Sequence, residues 1–152
     1  AERVSLLVLS TDVLRRALFP QPSYGSAESD RLFQAVHELV ARLLTQGIPI
    51  ILDATNLVER HREVIYHIAE RTGAQLLIVR TQAASQEVQQ RLEERFQDKV
   101  REDSSEADLA VYKRMRPAVQ QIRRNHLVVD TTQDIEPVLQ RVVREIRRGN
   151  RV

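Results

Sequence analysis

Two aspartates and two pairs of arginines carry most of the chemistry this sequence could do. Asp12 follows an apolar run in Leu9-Ser10-Thr11-Asp12, and Asp53 closes another in Ile50-Ile51-Leu52-Asp53. A carboxylate at the end of an apolar strand is a common way to organise Mg²⁺ for phosphoryl transfer. A hard cation of that kind is often held by one or two carboxylates plus phosphates. Asp53 suits capping of the following turn equally well, because Asp is common in such loops. Arg15 and Arg16 follow Asp12 within one helical turn. Arg91 and Arg95 are four apart, hence on one helix face, and could close over a polyphosphate. A solvated face laced with Glu87, Glu94 and Asp98 is the commoner state of such a charge run. His37, His61, His67 and His126 show no metal spacing and receive no catalytic role.

Strands and helices must position these groups. Four apolar runs, Val4 to Leu9, Ile48 to Leu52, Gln75 to Val79 and His126 to Val129, show no polar alternation. That pattern predicts strands buried on both faces, as in a parallel sheet. Between them, Leu32, Phe33, Val36, Leu39, Val40, Leu43 and Leu44 recur at helical spacing, with Gly47 as the stop. Asn56 stands three residues before Glu59, a capping-box-like start for a helix carrying Val64, Ile65 and Ile68 and ended by Gly73. Ser85 can cap a helix with Val88, Leu92 and Phe96. A last helix carries Ile135, Val138, Leu139, Val142, Val143 and Ile146 and is ended by Gly149, with Pro137 in its first turn, where proline is tolerated. Alternation of this kind predicts an α/β fold with right-handed crossovers. In such sheets ligands bind beyond the carboxyl ends of the strands, where Asp12 and Asp53 fall.

One segment departs from the alternation. Glu87 to Arg116 holds 15 charged residues, 7 basic and 8 acidic. It reads as a mostly helical flap, the lid-like part of an otherwise single domain spanning 1–152.

The totals bound what the chain can be. Its 152 residues suit one domain with a sizeable core. No apolar run approaches the roughly 20 residues of a membrane span, and the N-terminus does not read as a signal peptide. With no cysteine, disulfides and thiolate metal sites are excluded. A cytoplasmic location is expected. The basic residues are 21 Arg and 2 Lys, yet the net charge is only +2, too little for a protein that coats nucleic acid. The glycines are Gly25, Gly47, Gly73 and Gly149. None opens a G-x-x-x-x-G-K-[ST] loop, whose backbone amides and Lys carry most phosphate binding in P-loop proteins.

Several of these pieces together resemble the P-loop kinase family that includes polynucleotide kinase and the zeta-toxin-like kinases. The resemblance covers nearly the whole chain. It rests on Leu9-Ser10-Thr11-Asp12-Val13-Leu14-Arg15-Arg16, on Ile51-Leu52-Asp53-Ala54-Thr55-Asn56-Leu57 followed by Arg60, on Arg91 with Arg95, on Val111-Tyr112, and on His126-Leu127-Val128-Val129-Asp130-Thr131. The Asp-x-Thr-Asn piece is the most specific. The resemblance implies an ATP-dependent kinase using Mg²⁺, which passes the γ-phosphate to a hydroxyl of a small molecule or nucleic acid. Asp12 would be the general base, and Asp53 the Mg²⁺ carboxylate. Ser10, Thr11 and Arg15 or Arg16 would hold the acceptor, with Thr55, Asn56 and Arg60 organising its side of the site. Arg91 and Arg95 would be lid arginines acting on the ATP phosphates, and Asp130 and Thr131 would lie near the adenine.

In that family a strand, the phosphate loop and a helix precede the segment that begins here at Val4. The chain is therefore expected to be a truncated P-loop kinase-like domain of about four strands that binds ATP weakly or not at all. Its strand edges are expected either to pair the second strand directly with the third, or to self-associate. A non-catalytic remnant serving as an interaction module is the other reading.

Overall fold

A computed structural model describes residues 4–97 and 109–149, the side chains of 95–97 excepted. In chain order the elements are β1 (Leu7–Ser10), α1 (Thr11–Leu18), α2 (Ser26–Thr45), β2 (Ile50–Asp53), α3 (Glu59–Thr72), β3 (Val79–Gln82), α4 (Ser85–Gln97), α5 (Leu109–Met115), β4 (Leu127–Asp130) and α6 (Glu136–Gly149). A short 3₁₀ turn, Arg116–Ala118, follows α5. The fold is α/β with parallel strand pairs, as the sequence predicts. Two compact units make it up. One comprises residues up to Leu76 together with Pro117–Gln120, and the other Leu77–Arg116 and the residues from Gln121 onward.

In the first unit β1 and β2 run parallel, with Leu7 opposite Ile50 and Ser10 opposite Asp53. The core is built on α2, because Leu32, Val36 and Val40 recur every four residues on one face and are fully buried. Leu9 of β1 and Ile68 of α3 close over them, with Leu14, Leu52 and Ile65 packed around. Each such buried aliphatic contributes about 1.5–3 kcal/mol. Two left-handed glycines end the helices. Gly47 sits at φ 72°, its N–H donates to Leu44 O, and the next amide donates to Leu43 O. Gly73 at φ 68° makes the same pair of bonds to Glu70 O and Ala69 O. Both are Schellman closures, which satisfy carbonyls that the helix end leaves open.

In the second unit β3 and β4 run parallel, with Val79 opposite Leu127 and Gln82 opposite Asp130. The described residues of this unit include none that is fully buried. Val88, Leu92, Leu127, Val129, Val138, Leu139, Val142 and Ile146 are half-buried.

The structure differs from expectation in several places. The strands are not buried on both faces, since Leu7 and Val8 of β1, Val128 of β4 and all four residues of β3 are exposed. The third strand begins at Val79 rather than Gln75, since its pairing with β4 starts only where Leu127 N–H donates to Ile78 O. Asn56 does not cap α3. That helix starts at Glu59 with Val58 before it, and the Glu59 carboxylate goes to Arg62 instead of reaching back. Ser85 is the first helical residue of α4, and Ala84 O takes the first amide bond, from Val88. Finally, β2 and β3 form no ladder. The described strands make two separate two-stranded sheets, so the continuous order expected from direct pairing of the second and third strands is not formed.

Candidate functional site

The register of β1 and β2 decides where the first pair of carboxylates falls. Ser10 and Asp53 are opposite partners at the carboxyl ends of their strands. Asp12 comes two residues later, in the first turn of α1, where the helix dipole favours a negative charge. Both aspartates therefore stand at one edge of one parallel pair. Thr11 is buried there, and its hydroxyl donates to the Asp53 carbonyl at 3.3 Å, tying the start of α1 to the end of β2. Neither the Asp12 nor the Asp53 carboxylate has a hydrogen bond or ion pair among the described residues. Asp53 is exposed and Asp12 half-buried. Carboxylate oxygens are the donor type a hard cation prefers, though the described residues hold no group of three or more His, Asp or Glu placed to bind a metal ion.

Of the two arginines on α1, one is committed and one is free. Arg15 is 7% exposed. It forms an ion pair with Glu28, donates to Ser29 Oγ at 3.3 Å and lies over the Tyr24 ring at 4.9 Å from its centroid. Glu28 gathers the loop as well, accepting from the Ser23 amide at 2.6 Å and the Ser23 hydroxyl at 2.8 Å. Burial works to raise the Glu28 pKa. The Ser23 bonds and the Arg15 guanidinium outweigh it, and the carboxyl falls to about 2. Arg15 thus fixes α1 against the start of α2. Arg16 is exposed and has no partner among the described residues.

The loop after β2 is held by a residue the sequence did not single out. Arg62, 5% exposed, donates through Nη1 to Asn56 O at 2.7 Å and Leu57 O at 3.0 Å. Through Nη2 it reaches Gln120 O at 3.0 Å, and through Nε the Glu59 carboxylate at 2.8 Å. Gln120 completes the clamp. Its amide donates to Leu57 O at 2.9 Å, and its side-chain oxygen accepts from the Glu59 amide at 2.6 Å. Held in this way, Asn56 adopts φ 42°, a left-handed conformation that Asn tolerates better than most residues. Its Oδ1 is buried with no partner. Thr55 beside it is exposed. Arg60 points elsewhere, pairing with Asp30 at 2.6 Å on the surface. A signal for Arg62 was present in the sequence. It lies four residues before Tyr66 and seven before Ala69, both buried, so a charge stands in the helix's buried stripe.

The second unit brings three predicted residues together. Arg91 on α4 donates through Nη1 to Thr131 Oγ1 at 3.1 Å and through Nη2 to Thr131 O at 3.0 Å. Its Nε is taken by Glu87 at 2.9 Å. The Thr131 amide continues the β3–β4 ladder, donating to Gln82 O at 2.9 Å. Asp130 accepts from the Thr132 hydroxyl at 2.6 Å and the Thr132 amide at 3.0 Å. These bonds, the hydroxyl's first, hold its carboxyl below the usual range, with a smaller contribution from Arg91. Arg91, Asp130 and Thr131 therefore form one cluster at the carboxyl end of β4. Arg95 lies one turn further along α4, its side chain outside the described residues, as are positions 98–108 of the flap. Arg91 is engaged by both Glu87 and Thr131.

A family model described as an AAA domain matches residues 1–122. Among solved structures, Kti12 of Chaetomium thermophilum in complex with ADP-AlF3 superposes with a TM-score of 0.74 at 17% identity, covering 95% of this chain and 81% of that one. The APS kinase CysC of Mycobacterium tuberculosis, in complex with AMPPNP and APS, gives 0.65 at 16% identity, over 96% and 82%. A sugar kinase from a Janibacter species gives 0.65 at 11% identity, over 97% and 83%. At these identities the likeness is one of fold. Among curated proteins, none matches. No helix of the described residues is long and apolar enough to cross a membrane.

Proposed function

Because the chain belongs to the AAA domain family and shares its fold with P-loop kinases, we propose that it forms the acceptor and metal side of an ATP-dependent phosphotransferase acting on a hydroxyl group. The observation that carries this reading is the placement of two unengaged carboxylates, Asp12 and Asp53, at one carboxyl edge of the β1–β2 pair.

In this reading Asp12 accepts the proton of the acceptor hydroxyl, a step worth about 10²–10⁴-fold in rate. Asp53 would hold Mg²⁺, whose role when bound would be to neutralise charge on the phosphoryl group that ATP supplies. Arg16 meets an anionic or polar part of the acceptor, and Ser10, Thr55 and Asn56 line its path. Thr11 and Arg15 position α1, and Arg62 positions the Asn56 loop. Arg91, Asp130 and Thr131 are the residues proposed for the nucleotide, with Arg95 on the same helix. Of the lid proposed for 87–116, positions 98–108 lie outside the described residues. For lack of a Gly-Lys loop within these 152 residues, they bind ATP weakly on their own.

Transfer of the γ-phosphate of ATP to a panel of hydroxyl-bearing metabolites and oligonucleotides, by the protein as its gene encodes it, tests the reading. Asp12→Ala is expected to lower transfer at least about 10²-fold and to spare nucleotide binding. Equal loss of both would make Asp12 structural and remove the general base from the scheme.

A further inference from the structure

The contact between α2 and α3 in the first unit contains a cluster that the proposed reaction does not use. The ring of Phe33 stacks on that of His61 at 4.2 Å between centroids and lies 5.9 Å from that of His37. The two imidazoles face each other edge-on at 6.2 Å. His37 Nε2 is buried and has no hydrogen-bond partner. His61 Nε2 lies 3.4 Å from Asp30 Oδ1, and that same oxygen accepts from Arg60 at 2.6 Å. The charged and titratable groups facing the pair are thus each other, Asp30 and Arg60.

That arrangement suits two neutral rings better than two charged ones. Two protonated imidazoles at this spacing would repel each other. A proton on His37 would place a charge on a half-buried ring whose buried Nε2 has no acceptor, beside a second imidazole. Asp30 could offset one charge at most, and Arg60 already competes for it. An uncompensated buried charge is among the costliest features a fold can carry. Separation of the two helices would hydrate it further.

We propose that Phe33, His37 and His61 form an acid-sensitive latch that holds α2 on α3 while both imidazoles are neutral and releases it when they gain protons. The physical trends agree with the geometry. Burial, and then the neighbouring His61, lower the His37 pKa. Burial lowers that of His61 too, with Asp30 partly opposing and Arg60 assisting. The native chain then binds fewer protons than the unfolded chain below about pH 6.5, the ordinary histidine value. By linkage, stability is fully present above that pH and is lost as pH falls through the lowered native values. The Glu28 carboxyl, at about 2, stays charged throughout this window. The latch acts whether or not the chain transfers phosphate.

NMR titration of the imidazoles and urea unfolding of the full chain, from about pH 7.5 to about pH 5.5, test it. Two imidazoles should titrate below the ordinary histidine range, and the urea midpoint should fall as pH falls. The double variant His37→Gln/His61→Gln should flatten that fall, and His67→Gln should leave it in place. Native titration of His37 and His61 at or above about 6.5 would overturn the latch, as would an undiminished fall in the double variant. Should the double variant fail to fold, the titration of the unaltered chain decides alone.

Discussion

At the scale of single residues, arginines that look alike in the sequence do different work. Arg60 and Arg62 are two apart, yet Arg60 pairs with Asp30 where the two side chains are 66% and 49% exposed, while Arg62 is buried against three carbonyls and a carboxylate. A surface pair contributes about 0–1 kcal/mol. Removing a buried arginine strands every acceptor it served, at a cost of about 3 kcal/mol or more. Urea unfolding should therefore show Arg62→Ala losing about 3 kcal/mol and Arg60→Ala less than about 0.5 kcal/mol. Similar losses for the two would mean that the clamp on the Asn56 loop is not a stabilising feature. The sequence reveals Arg62 only as a charge out of place in an apolar stripe. Its partner Gln120 lies 58 residues away, and no local pattern announces a bond across that distance. The same holds for Glu28, which reads as an ordinary first-turn acid until Ser23 and Arg15 are seen to converge on it.

At the scale of elements, what was legible follows from period and punctuation. Apolar runs without alternation gave parallel strands, and helical spacing gave α2, α3 and α6, because burial on one face or two leaves those repeats in the residues. The edge that holds Asp12 and Asp53 was legible for the same reason, since in a parallel pair both strands end on the same side. The Asn-x-x-Glu spacing does not produce a cap at Asn56, because Glu59 has a stronger partner in Arg62. Gly47 and Gly73 end their helices where the sequence places them, and Gly73 offers a clean test of why. A Cβ built on it meets nothing within 4 Å, so any cost of adding one comes from the backbone at φ 68°. Gly73→Ala should thus lower stability by about 1 kcal/mol and leave the core intact by NMR. A neutral or stabilising effect would show that the left-handed closure of α3 is not needed.

At the scale of the whole molecule, the sheet edges set the expectation. A two-stranded sheet is marginal by itself, and each strand here pairs on one side only among the described residues. Unpaired amides and carbonyls call for partners. Proteins usually blunt such edges with lysine, proline or a bulge. Neither β1, Leu-Val-Leu-Ser, nor β4, Leu-Val-Val-Asp, carries any lysine or proline. Leu7 and Val8 are 46% and 45% exposed, and Val128 is 43% exposed, so apolar side chains accompany the open backbone. With no ladder between β2 and β3 among the described residues, open apolar edges of this kind favour association with another copy of these 152 residues. Sedimentation velocity over a range of concentrations should therefore show species heavier than 17.5 kDa increasing with concentration. Val8→Lys, which places a charge on an exposed position of β1, should shift the population toward the monomer, as lysines do on natural edge strands. A chain that stays monomeric at every concentration would show that these edges are tolerated in water and that the strand pairs need no further partner.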